Sequence, residues 1–91
     1  MSMTTTPTQY MNLGNEISLV NLKENEEGNI LYFTDERTAS KLIAMGVLPG
    51  KTLKLVRRVP FGGGLYVKIE EQNIGLREDE ARHIYIKRTI F

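Results

Sequence analysis

The 91-residue chain contains no cysteine, no tryptophan and a single histidine, His83. Without cysteine there are no disulfides, no thiolate metal sites and no cysteine nucleophile. One imidazole is too little for a transition-metal centre, which usually gathers several His, Cys or carboxylate ligands. No apolar run approaches the roughly 20 residues of a membrane-spanning helix. Met1 to Asn12 is rich in Thr and Gln and has no apolar stretch, so it does not read as a signal peptide. A strong excess of one charge is missing too: 12 Lys and Arg balance 11 Asp and Glu, for a net charge of +1. Nonspecific nucleic-acid binders usually carry a much stronger basic excess.

What remains is one small domain's worth of material, 41% hydrophobic, with 25% charged residues of mixed sign. Residues 1–15, with Thr4-Thr5-Thr6-Pro7-Thr8, have little to bury and read as a flexible tail. Residues 16–91 read as the folded domain. Ile17 to Leu22 is a β-rich run, and Ile30 to Phe33 is a second extended stretch. Thr34 or Asp35 is placed to cap a helix running to about Met45, with Ala39, Leu42, Ile43 and Gly46 on one face. Gly46 suits the left-handed position after a helix end, and Pro49-Gly50 turns the chain into the next strand.

Thr52 to Val59 then reads as a strand with Leu53, Leu55 and Val59 on one face, an alternation that Arg57 breaks. Leu65, Val67 and Ile69 alternate with Tyr66, Lys68 and Glu70, the pattern of a strand buried on one side. Ile74 to Leu76 is a short strand, Glu78 to Arg82 a single helical turn, and Ile84 to Lys87 a last strand. Five to six short strands with Gly-rich turns, one inserted helix and one helical turn predict a mainly β fold, closed into a small barrel.

Three stretches carry a family resemblance. They are Leu42-x-x-Met45-Gly46-Val47-x-Pro49-Gly50; then Val56 and Pro60 ahead of a glycine loop; then Ile74-x-Leu76-Arg77-x-x-Glu80-Ala81-x-x-Ile84. In this order and spacing, over roughly residues 16–88, they resemble the FeoA domain. The resemblance implies an SH3-like β-barrel with an inserted helix. It also implies a cytoplasmic, non-enzymatic accessory role in ferrous iron uptake beside the membrane transporter FeoB. A related domain ends iron-dependent repressors, but this chain has no room for a winged-helix DNA-binding domain. The glycine loop, Phe61-Gly-Gly-Gly64, departs from the family pattern, which often has Asp or a second Pro after a glycine.

Chemistry can be assigned to few residues. Gly62 to Gly64 leads into a strand and lacks the Gly-Lys-Ser/Thr of a phosphate loop, so it reads as a hairpin loop. Glu70, Glu71, Glu78, Asp79 and Glu80 read as a solvated face and a helix start rather than a cation site. No serine elbow or spaced carboxylate pair recommends catalysis, and no cofactor is expected. The remaining reading is a protein-binding surface. If Leu65, Val67, Ile69, Ile84 and Ile86 face inward, then Tyr66 and Tyr85 face outward, with Phe61 on a loop beside them and Arg57 and Arg58 near. Tyr also simply suits strands. Met45 and Leu48 at the helix end form a second candidate patch, whereas Leu42 reads as core. Arg57 or Arg58 as an arginine finger toward the GTP-hydrolysing part of FeoB is a less economical reading than a solvated strand arginine. A nucleic-acid-binding barrel, using Lys51, Lys54, Arg57 and Arg58, and a regulatory metal sensor are the alternatives. The ends, Tyr10 to Leu13 and Thr89 to Phe91, can pack on the domain or on a second copy.

Overall fold

The alternation in residues 65–69 is realised in the computed structural model, which describes residues 16–89: Leu65, Val67 and Ile69 are buried, while Tyr66 and Lys68 are exposed. The expected tail at 1–15 lies outside the described residues, as do Ile90 and Phe91. In chain order the elements are β1 (Glu16–Ser18), a 3-10 turn (Leu19–Asn21), β2 (Glu27–Phe33), α1 (Glu36–Ala44), β3 (Thr52–Val59), β4 (Gly64–Ile69), β5 (Gln72–Leu76), α2 (Glu78–Arg82) and β6 (Ile84–Arg88).

The strands form one antiparallel sheet in the order β1-β6-β2-β3-β4-β5. This corrects the expected SH3-like barrel: the sheet is mainly β and six-stranded, but it does not close. β1 and β5 are edges. The physical reason lies at the start of the domain. The first strand, expected over residues 17–22, ends at Ser18, and the chain coils into the 3-10 turn. That turn and α2 pack on each other, and Leu19 of the turn, Leu22 just after it and Ala81 of α2 are all buried. Polar ties replace a strand ladder there. The Ser18 hydroxyl donates to the Arg82 carbonyl at 3.0 Å. The Arg58 guanidinium donates to the carbonyls of Val20 at 2.8 Å and Leu22 at 2.7 Å.

Two bulges shape the sheet. Between β2 and β6 the register steps from Ile30↔Ile86 to Tyr32↔Tyr85, leaving Leu31 unpaired. Between β3 and β4 it steps from Leu55↔Val67 to Arg57↔Tyr66, leaving Val56 unpaired. A bulge sets two residues of one strand against one of its partner. This explains why Arg57 breaks the alternation of β3, and why Val59, expected inward, is only half-buried.

The α1–β3 junction is architectural. The Asp35 carboxylate accepts from the Thr38 N–H at 2.9 Å and the Thr38 hydroxyl at 2.8 Å, capping α1. At the other end Gly46 has φ 93°; its N–H reaches the Ile43 carbonyl at 3.0 Å and the Val47 N–H reaches that of Leu42 at 2.9 Å. That pair of bonds is a Schellman motif, closed by burial of Leu42 and Val47. The Gly50 N–H then donates to the Ile30 carbonyl at 2.7 Å, and the Ile30 N–H to that of Lys51 at 2.8 Å, fastening the turn to β2. Ile43 corrects another expectation. Of the face proposed for α1 only Leu42 is buried, and Ile43 is 49% exposed.

Candidate protein-docking surface

The β3–β4 hairpin exposes Val56, Arg57, Phe61 and Tyr66. Because the bulge leaves Val56 unpaired, Val56 and Arg57 together oppose Tyr66, and all three are exposed. Tyr66 also lies over β5, where a Cβ built on its partner Gly75 would come 3.2 Å from the ring. The absent side chain leaves room for the aromatic body along the sheet.

At the tip the chain turns through Pro60–Gly63, with the Gly63 N–H on the Pro60 carbonyl at 3.3 Å. The central residues, Phe61 and Gly62, have φ of 60° and 73°. Positive φ at both positions marks a type I′ turn, which favours Asn, Asp or Gly. Phe61 holds the first of them with its side chain entirely in solvent. A bulky residue in the left-handed region is disfavoured by about 1–2 kcal/mol, and no burial offsets it here.

The other candidates fall elsewhere. Tyr85 stacks on Tyr32 with ring centroids 5.3 Å apart and planes 8° apart. The Tyr32 hydroxyl donates to the Glu16 carboxylate at 3.1 Å. Burial first, and then this carboxylate, raise the Tyr32 hydroxyl above the usual phenol range. Since β2 and β3 separate β6 from β4, the strands of Tyr85 and Tyr66 lie about 14 Å apart at ordinary strand spacing. Met45 packs against the core and Leu48 is half-buried, both at the opposite end of β3 from the hairpin tip. Arg58 is committed to the carbonyls of the 3-10 turn, and its own N–H donates to Glu24 at 2.8 Å. The structure therefore sets Arg57 across from Tyr66 on the hairpin with Phe61 at its tip, and places Tyr85, Met45 and Leu48 elsewhere; Arg58 lines a small cleft with Phe61 but is tied to the chain around the 3-10 turn.

Sequence reasoning did not include Val56 and Tyr32 in the candidate surface. An arginine at an inward phase of β3 was the available signal for the Val56 bulge. For Tyr32 there was none, because strict alternation from Ile30 points it inward.

Among the described residues no three His, Cys, Asp or Glu side chains converge on a point. His83 instead shares a 2.8 Å hydrogen bond between Nδ1 and the Thr34 hydroxyl. No described helix is long and apolar enough to cross a membrane.

Residues 17–88 match the family model of the FeoA domain. The chain belongs to the FeoA family. FeoA domains are non-catalytic accessory modules, and membership fits a non-enzymatic accessory role in ferrous iron uptake. Solved structures share the fold. An iron uptake regulatory protein, FeoA, superposes with a TM-score of 0.73 at 16% identity, covering 81% of this chain and 99% of that one. A FeoA-like protein from Clostridium acetobutylicum gives 0.76 at 17%, covering 85% and 91%. A manganese-dependent transcriptional repressor in complex with manganese gives 0.76 at 17%, covering 81% of this chain but 37% of its own. At these identities the likeness is one of fold. No curated protein matches the chain in sequence.

Proposed function

We propose that this FeoA protein acts in the cytoplasm by docking on the cytoplasmic portion of a FeoB-type transporter, through the outer face of the β3–β4 hairpin. Phe61 carries the reading: a fully exposed phenylalanine in a left-handed turn position costs the free protein stability and gives its fold nothing in return. Tyr66 and Val56 are further apolar residues exposed along the same hairpin, and Arg57 adds a cation across from Tyr66. Large aromatics and arginine are the side chains that most often anchor protein interfaces.

Titration of the cytoplasmic portion of the transporter tests this. Tyr66→Ala weakens binding, whereas Tyr85→Ala, on the separate Tyr32–Tyr85 stack, leaves it intact. Equal effects of the two substitutions, or none from Tyr66→Ala, would exclude the hairpin face.

A further inference from the structure

Next to Tyr66 on the outer face of the hairpin, Lys54 of β3 stands directly across from Lys68 of β4. Like charges directly opposed on neighbouring strands destabilise a sheet. Glu27 of β2 pairs in register with Lys54, yet neither lysine is within ion-pair distance of a carboxylate among the described residues. Glu70 is drawn instead to Lys51, at 3.3 Å. On its far side Lys68 is opposite the uncharged Asn73. Lys54 and Lys68 line an open groove with Lys51, and Glu27 and Glu70 line it as well. One step along the hairpin, Arg57 has no acidic partner among the described residues.

We infer that the Lys54–Lys68 rung receives an acidic side chain of the docked partner, set within a segment whose apolar neighbours lie on Tyr66 and Val56. This rests on the hairpin face being the docking surface. Charge complementarity chooses the occupant: a carboxylate between two opposed ammonium groups removes their repulsion and gains two charge-assisted hydrogen bonds. The flanking carboxylates choose its size. A phosphate backbone or an anionic membrane laid across the sheet meets Glu27 and Glu70 as well as the lysines. A single acidic side chain reaches the rung and avoids both. The free protein thus keeps a destabilising pair that an acidic partner converts into an attraction.

Lys68→Glu tests the inference because its effects on fold and on binding have opposite signs. It replaces the like-charge rung by an opposite-charge one, so thermal stability holds or rises. Affinity for the cytoplasmic portion of the transporter falls at least tenfold, a loss of about 1.4 kcal/mol, and Lys68→Arg keeps it. The salt dependence of binding becomes shallower in Lys68→Glu. Tyr66→Ala run in parallel separates the two levels. If Tyr66→Ala loses affinity and Lys68→Glu does not, the acidic occupant is wrong and the docking face stands. If both bind as the parent does, or the parent does not bind, the docking face is wrong and the inference falls with it. Vesicles with 30% anionic lipid and a single-stranded oligonucleotide serve as further probes. Binding of either, abolished by Lys68→Glu while transporter affinity is unchanged, would overturn the assignment to a protein carboxylate.

Discussion

Replacing Phe61 by asparagine raises the stability of the free protein and lowers its affinity for the partner. The stability half follows from the turn. Phe61 is wholly exposed, so its removal forfeits no burial. Its φ of 60° carries a penalty of about 1–2 kcal/mol for an ordinary side chain, which asparagine largely escapes by bonding its own backbone. A gain of about 1 kcal/mol raises Tm by roughly 4–8 °C in a domain of this size. Phe61→Gly is a useful contrast. It relieves the same strain but widens the unfolded ensemble by about 0.5–1 kcal/mol, so its Tm moves little.

The binding half follows from area. A phenylalanine can bury about 150–250 Å². At about 25 cal/mol per Å² that bounds its contribution at roughly 4–6 kcal/mol. Ordering and desolvation costs reduce this, and a loss of about 2 kcal/mol, or thirtyfold, is the size typical of an interface anchor. Thermal unfolding followed by circular dichroism and calorimetric titration of the transporter's cytoplasmic portion measure both halves. A lower Tm would show that Phe61 serves the fold. A higher Tm with undiminished affinity would remove Phe61 from the docking surface and take away the observation on which it stands.

Three further outcomes are expected. Leu42→Ala empties a fully buried site beneath the α1 C-terminus and costs about 2–5 kcal/mol, measured by denaturant unfolding; a loss under 1 kcal/mol would contradict its place in the core. Arg58→Met removes both guanidinium bonds to the 3-10 turn and costs about 3 kcal/mol, with partner affinity unchanged at temperatures where the variant is folded; lost affinity with normal stability would return Arg58 to the interface. Acid stability depends on Glu80 and Asp35. Burial works to raise the Glu80 carboxyl, but the Lys41 ammonium and the Arg77 N–H outweigh it and hold it below the usual range. The Thr38 N–H and hydroxyl do the same for Asp35. A carboxylate with a lowered folded pKa contributes fully above its unfolded value, near pH 4, and loses that contribution as pH falls through the folded value. Tm therefore falls as the pH drops below about 4; Glu80→Gln lowers Tm at pH 7 and flattens the acid limb, and an unaltered limb would show that Glu80 contributes nothing.

What the sequence revealed depended on whether its signal was local. The α1 cap, the Gly46 stop and the Pro49-Gly50 turn are encoded within a few residues each, and they stand where the spacing put them. The one-sided burial of β4 is equally local, because period-two alternation needs no knowledge of its neighbours. Closure of the sheet is not local. It depends on whether the run after Glu16 continues as strand, and Ile17 to Leu22 is as β-rich as a real strand. It coils after Ser18, where the Ser18 hydroxyl reaches across to Arg82 and the Arg58 guanidinium holds the carbonyls that follow. These bonds span 64, 38 and 36 residues of chain, so no window of local pattern contains them.

The same reasoning explains why the candidate surface was only partly legible. Phase alone placed Tyr66 and Tyr85 outward, but phase cannot tell how far apart two strands lie. Topology set β2 and β3 between them and divided one supposed face into two. Bulges then changed what each face holds. At Val56 the extra residue gathers Val56, Arg57 and Tyr66, and at Leu31 it turns Tyr32 onto Tyr85. A regular β3 would have pointed Arg57 inward and left no cation next to Tyr66. The bulge, a cost to the ladder, is thus what sets Val56 and Arg57 together across from Tyr66, because a bulge re-aims the side chains around it.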